Sequence, residues 1–132
     1  MKDDMQKKII QFQMLEANLK AIQEREELIN ERLAEIETTK AAIEELKKTK
    51  PGKTLISIGS GNFVSGRIED TEELIIGIGS GVAIKKKRED ATAILDSKSK
   101  EFEKDLNSLR NQSTTIAFQL AKLQEEIERL QE

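Results

Sequence analysis

Apolar residues in the first third of the chain repeat with a period of seven. One series is apolar in five successive heptads, and a second series, three residues earlier in each heptad, is interrupted only at Glu26 and Lys40. The two series comprise Leu15, Ile22, Ile29, Ile36 and Ile43, and Met5, Phe12, Leu19 and Leu33. A narrow two-position stripe flanked by charged residues is typical of a coiled-coil seam. It predicts one helix over 3–49, with Asp3 as its N-cap and Pro51-Gly52 as its stop signal.

The last third of the chain has the same pattern and predicts a second helix over 90–131, capped by Asp90. Its two series are Leu95, Phe102, Leu109, Ile116, Leu123 and Leu130, and Ser99, Leu106, Ser113, Leu120 and Ile127. Two helices of similar length on either side of an insert are expected to fold back into an antiparallel coiled-coil hairpin. Residue i should then lie opposite about residue 137 − i, with both termini at one end and the insert at the other.

The insert, residues 54–84, contains six of the seven glycines and repeats itself. The sequence Ile-Gly-Ser-Gly at 58–61 recurs at 78–81, each time between apolar alternating runs. Alternating runs joined by a short glycine-containing link predict a β-hairpin, because glycine accepts the positive φ of a tight turn. We therefore expect two consecutive hairpins joined near Asp70-Thr71.

One face of each predicted strand is apolar at every second position. These assembly residues are Ile56, Ile58, Val64, Ile68, Ile76, Ile78, Val82 and Ile84. A four-stranded patch of this size cannot bury its own face, and its edges would remain open. The pattern therefore predicts obligate oligomerisation through residues 54–84.

Composition excludes most catalytic chemistry. The 132-residue chain has no His and no Cys, which rules out Ser-His, Cys-His and His-metal sites, and we expect no enzyme, no metal and no cofactor. The carboxylates lie among lysines at helical spacing, as expected of solvated helix faces. No 18-residue apolar run predicts a membrane span, and the N-terminus lacks the apolar core of a signal peptide, so a cytoplasmic location is the default.

Two short motifs were weighed as binding sites and rejected. Lys50–Thr54 resembles the end of a P-loop, but Lys47 occupies the place of its first glycine and a strand follows it. Lys85–Arg88 is a basic cluster, but it is short and Glu89-Asp90 follows at once. With a net charge of −3, the chain is not expected to bind nucleic acid, and the cluster is expected to be a solvated or interface-facing strand end.

Taken whole, the chain resembles the alpha class of archaeal prefoldin subunits. The resemblance is carried by two long helices of similar length around a double hairpin, above all by Gly59–Gly61, Phe63-Val64, Asp70–Glu72 and Gly77–Lys86. It implies a single prefoldin-like domain over 1–132, an α fold with a small β insert whose hairpins join an oligomeric β-barrel platform. It further implies a hexamer of two alpha and four beta-class subunits. Such assemblies are ATP-independent holdases that capture unfolded polypeptides at the coiled-coil tips and pass them to a cytosolic group II chaperonin.

Apolar residues near the chain termini are the candidates for contact with unfolded clients. Ile9, Ile10, Met14 and Phe118 lie off the seam, whereas Met5, Phe12, Ile127 and Leu130 lie at its end, where terminal turns fray. Exposed and flexible apolar groups suit sequence-indifferent binding. Two alternatives stay open: these residues could pack on a neighbouring helix, and the whole chain could be a structural scaffold or filament subunit without clients.

Overall fold

In the computed structural model, which describes residues 2–131, four short strands lie between two long helices in the order of the sequence. The elements are α1 (Lys2–Lys48), β1 (Gly52–Gly59), β2 (Asn62–Ile68), β3 (Glu73–Gly79), β4 (Val82–Lys87) and α2 (Arg88–Gln131). The two predicted helices and two hairpins are confirmed. The strands extend beyond 54–84 on both sides, so β4 leads directly into α2.

Both helices begin before the residues that were predicted to cap them. Asp3 and Asp90 lie inside the first turns of α1 and α2, so their assignment as N-caps is wrong. Acidic side chains in a first turn still interact favourably with the positive end of the helix dipole. In α2 the backbone N–H of Arg88 donates to the carbonyl oxygen of Glu72 at 2.9 Å, so the connection between the hairpins satisfies one of the N–H groups that have no partner within the helix.

The predicted seam is confirmed by the pattern of burial. Residues at the two heptad positions of α1 are buried or half-buried, including the polar Glu26 and Lys40, while most other α1 residues are exposed. The most buried apolar seam residues are Ile29, Ile36, Ile43, Leu106 and Leu123. Each helix therefore contributes a narrow stripe rather than a broad face.

Ion pairs between the helices agree with the expected antiparallel register. Lys8 Nζ donates to Glu126 Oε2 at 2.8 Å, and Lys40 Nζ lies 2.6 Å from Asp96 Oδ1. The residue numbers of these pairs add to 134 and 136, close to the expected sum. The Asp96 carboxylate, through its hydrogen bond, raises the pKa of Lys40 above its ordinary value.

Internal contacts divide the chain into two units. One contains the outer parts of both helices, up to Leu33 in α1 and from Lys100 in α2. The other contains Ala34–Ser99, and hence all four strands with the adjoining helix segments. The single domain over 1–132 stays a prediction.

The strands form two separate two-stranded antiparallel sheets, β1–β2 and β3–β4. The expected four-stranded patch is wrong, since no ladder joins β2 to β3 in the described chain. The connecting residues between Ile68 and Glu73 instead turn around Asp70, whose Oδ1 accepts the backbone N–H of Glu72 at 2.8 Å. Each hairpin therefore keeps both of its edges open.

Tight turns close both hairpins as predicted. In the first, Gly59 pairs with Asn62 across Ser60 and Gly61, whose φ values are +51° and +79°. Two successive positive φ values are those of a type I′ turn, the form whose twist matches a hairpin. The second hairpin repeats this geometry with Ser80 at φ +53°. A left-handed serine in each turn was not foreseen.

Candidate assembly and client-binding surfaces

The eight predicted assembly residues fall into two groups by exposure. Five are exposed in the single chain, namely Ile56, Ile58, Val64, Ile78 and Val82. Ile68, Ile76 and Ile84 are half-buried. Ile58 and Ile78 lie where the ladder shifts register just before each turn, so they occupy bulges. Apolar side chains left exposed in neighbouring strands form a surface that a partner can cover.

Sequence reasoning missed the opposite face of the hairpins, which also exposes large apolar side chains. Leu55 is 65% exposed and Ile75 is 77% exposed, and Phe63 is exposed as well. Leu55 pairs with Ser65 and Ile75 with Lys85, which places them opposite to Ile56 and Ile76. Adjacent apolar pairs such as Leu55-Ile56 break strict alternation, and that break was the signal in the sequence for apolar side chains on both faces.

The second hairpin lies beside its own helices. Leu74 and Ile76 of β3 line a cavity of about 350 Å³ together with Ile43 of α1 and Ile94 and Leu95 of α2. Both β3 side chains are half-buried, in contrast to the exposed Ile75 between them. Part of the apolar surface predicted for assembly thus faces the helices of its own subunit.

The junction between this hairpin and α2 is held by polar contacts around Thr71, which is buried. Arg88 Nη1 donates to the carbonyl oxygen of Thr71 at 2.6 Å. Asp70 accepts hydrogen bonds from the backbone N–H groups of Glu72 and Glu73, and these, with the nearby Arg88 charge, hold the pKa of Asp70 below its ordinary value. The junction therefore orients β3 and β4 on the start of α2.

The terminal segments, residues 3–14 and 118–131, place four predicted client-binding side chains in solvent. Ile10 is 56%, Met14 is 62% and Phe118 is 71% exposed, and Ile9 is less exposed. At the end of the seam, Met5, Phe12 and Ile127 are half-buried, while Leu130 is exposed. Met5, Phe12 and Ile127 therefore become fully available only if the terminal turns open, whereas Leu130 is exposed already.

The exposed residues do not form one patch. Ile10 and Met14 are four residues apart and share a face of α1. Ile10 and Phe118 each lie at the heptad position farthest from the seam, on different helices, so they face in opposite directions. Contacts with a client would therefore be made on both outer sides of the helix pair.

A groove beside the seam was also missed. It encloses about 790 Å³ between Phe12–Gln23 and Ala117–Gln124, with Ala17, Ala117 and Ala121 among its walls. Small side chains at these positions expose the flanks of Phe12, Leu19 and Leu120. The sequence indicates this groove through its alanines, which lie beside the seam at positions where longer polar residues usually cover it.

Two kinds of site are absent from the described chain. Residues 2–131 contain no cluster of acidic side chains arranged to hold a metal ion. No helix in that range has the length and apolar content needed to cross a bilayer.

The class of protein is defined by its architecture: two long helices joined through two β-hairpins, with apolar side chains exposed on the hairpins and the terminal segments. The chain belongs to the prefoldin family, because the family model "Prefoldin subunit" matches residues 3–132. The resemblance found in the sequence is confirmed. Members of the alpha class are chaperones, not enzymes.

Named relatives agree with this assignment. The chain is 31% identical to prefoldin subunit alpha of Pyrococcus horikoshii, over 76% of this chain and 69% of the relative. It is 35% identical to prefoldin subunit alpha of Thermococcus onnurineus, over 70% of this chain and 64% of the relative. The chain thus spans about two thirds of the length of these relatives.

Solved structures confirm the fold. A filamentous PFD from Methanocaldococcus jannaschii, determined by cryo-EM, superposes with a TM-score of 0.76, covering 86% of this chain and 95% of that one. The prefoldin beta subunit from Thermococcus strain KS-1 superposes with a TM-score of 0.62, covering 96% and 91%. Both are 16% identical to this chain, so the likeness is one of fold.

Proposed function

We propose that this chain is the alpha-class subunit of an ATP-independent holdase that captures unfolded polypeptides with its terminal segments. The observation that carries the proposal is the exposure of Ile10, Met14 and Phe118 on helices whose seam is already satisfied. Apolar side chains that do not take part in the packing of the fold are free to contact an unfolded polypeptide. Transfer of the client to a chaperonin and a cytoplasmic location stay predictions.

Retention of a client would come from several weak contacts. Burying one aliphatic side chain contributes about 1–2 kcal/mol, which alone gives no useful affinity. Subunits held in one particle raise the effective concentration of their terminal segments, so that simultaneous contacts bind far more tightly than any one. Holdase activity should therefore depend on assembly.

Assembly is proposed to proceed through the hairpins, with beta-class subunits as partners and two alpha and four beta subunits in the particle. Each hairpin has two open edges and apolar residues on both faces. Strands with open edges pair readily with other strands, and a closed barrel removes the edges altogether. The assembly residues and the opposite-face residues Leu55, Phe63 and Ile75 would then be covered together.

The test is suppression of aggregation of a chemically denatured, unrelated protein by this chain alone and with a beta-class subunit, such as that of Thermococcus strain KS-1. Light scattering and native mass are measured on the same samples. The triple variant Ile9→Ser, Ile10→Ser and Met14→Ser should keep the assembly mass and lose most of the suppression. Leu28→Ser is the control, since Leu28 is equally exposed on α1 but lies outside the terminal segments. Full suppression by the triple variant would refute the assignment of these residues.

The second candidate is a scaffold or filament subunit without client activity. It is favoured by one observation, that a structural neighbour is a filamentous PFD. Native mass and electron microscopy separate the two, because a chaperone particle has a fixed mass and a filament has a distribution of lengths. A fixed-mass assembly that fails to suppress aggregation at any client ratio would favour the scaffold.

A further inference from the structure

The first hairpin carries two cations and no acid. Lys53 on β1 and Arg67 on β2 are the only charged residues in Gly52–Ile68, and the ladder pairs them directly opposite each other. Like charges at directly opposed positions of an antiparallel ladder repel each other. Twenty residues later the repeated hairpin pairs Glu73 with Lys87 at the same rung, so the charges of this rung are opposite, although Lys85 and Lys86 lie on the same strand.

Nothing in the described chain compensates the first pair. Lys53 and Arg67 are both exposed, and neither forms an ion pair with any residue in 2–131. Glu69 follows Arg67 closely without pairing with it, and Asp70 is engaged by the backbone of its own turn. The pair is therefore open to solvent and available to a carboxylate of another subunit.

The surroundings of the pair favour a polypeptide as that group. Lys53 and Arg67 line a concave surface of about 570 Å³ together with Thr54, Leu55, Ser65 and Gly66. Leu55 lies on the same face as the two cations, and its side chain is largely exposed. Cations beside a large apolar side chain and open strand edges suit a segment that brings both a carboxylate and an apolar residue.

We propose that the subunit covering the first hairpin in the assembly presents carboxylates to Lys53 and Arg67 and an apolar side chain to Leu55. This rests on the proposed function, since it names the chemistry of the partner surface at one of the two hairpins. The second hairpin needs no such partner at this rung because Glu73 already faces Lys87. At this rung the two hairpins of one chain therefore present different charges to their neighbours, and the difference favours different partner surfaces.

The experiment measures the affinity of the full chain for the Thermococcus strain KS-1 beta subunit by calorimetry, at low salt and at about 0.5 M salt. The double variant Lys53→Gln and Arg67→Gln should bind about tenfold more weakly at low salt, with the difference closing at high salt. The double variant Lys100→Gln and Lys104→Gln is the matched control, because it removes the same charge from exposed positions of α2. Circular dichroism should show equal helix content in all variants, since none of the four side chains supports the fold.

Each outcome is decisive. Equal affinity and equal salt dependence in the hairpin variant and its control, with assembly intact, would overturn the inference and leave the proposed function standing. Failure of the wild-type chain to assemble with the beta-class subunit would overturn both. Binding of a DNA duplex by the wild-type chain that is lost in the hairpin variant would assign the cations to phosphate instead and overturn the carboxylate partner.

Discussion

Glu26 is a seam residue whose side chain lowers the stability of the helix pair. It occupies a heptad position of α1 that is apolar at Leu19 and Leu33, one heptad on either side. Its Oε1 is buried and has no hydrogen-bond partner. A buried acceptor without a partner loses its hydration and gains nothing in return. Replacing Glu26 by Leu should therefore stabilise the helix pair.

The size of the effect follows from two contributions. Removing an unsatisfied buried polar atom is worth about 1–3 kcal/mol, and burying a leucine side chain is worth about 1.5–3 kcal/mol when burial is complete. Glu26 is only half-buried. We therefore expect a net gain of about 2 kcal/mol in the free energy of unfolding, which for a chain of this length raises Tm by about 6 °C.

The assay is thermal unfolding followed by circular dichroism, with urea unfolding as a second measure. Glu24→Leu is the matched control, because it makes the same chemical change at an exposed position two residues away and should shift stability by less than about 0.5 kcal/mol. A Glu26→Leu variant no more stable than this control would refute the account of the seam. Since polar seam residues also restrict register and oligomeric state, the variant should show more self-association by native mass.

Three further predictions concern the turns and the ion pairs. Ser60→Asn should stabilise the first hairpin by about 0.5 kcal/mol, because asparagine tolerates positive φ better than serine. Ser57→Asn in the adjacent strand is the control and should not stabilise it. Urea unfolding measures the stability of both variants. Backbone N–H groups hold the pKa of Asp70 below its ordinary value, so its contribution to stability is present at neutral pH and is lost as the pH falls through the folded-state pKa. Asp70→Asn should accordingly lose less stability on acidification than the wild type. The hydrogen bond to Asp96 raises the pKa of Lys40. The contribution of this ion pair to stability is therefore complete below the ordinary pKa of lysine and is lost as the pH rises through the folded-state pKa. A Lys40→Met variant should show a flatter decline in Tm above about pH 10.

The helices could be predicted because their periodicity is long and strict. Every apolar seam position from Phe12 to Ile43 is at least half-buried in the structure, as the heptads required. A period sustained over five heptads determines which side of the helix faces its partner. The positions of the turns could be predicted equally well from the sequence, since glycine-rich links such as 59–61 readily adopt successive positive φ values.

The hairpin faces could not be predicted in the same way. Alternation assigns one apolar face to a strand, but Leu55-Ile56 and Ile75-Ile76 place apolar residues on both. Which of two adjacent residues is covered depends on what packs there, and that is decided by tertiary contacts such as those of Ile76 with the helices. The start of α2 could not be predicted for a related reason, because the carbonyl oxygen of Glu72 accepts the N–H of Arg88 across a connection that sequence spacing does not reveal.

The two hairpins have the same turn, register and bulge, and both expose apolar side chains on both faces. They differ in their contacts with the rest of the chain. The second is joined to α2 through the hydrogen bond of Arg88 to Thr71, and its Leu74 and Ile76 line a cavity together with residues of both helices. The first has an uncompensated pair of cations at the rung where the second pairs Glu73 with Lys87. With the proposed carboxylate partner on the first hairpin, one subunit would offer two surfaces of different chemistry, which a single hairpin could not do.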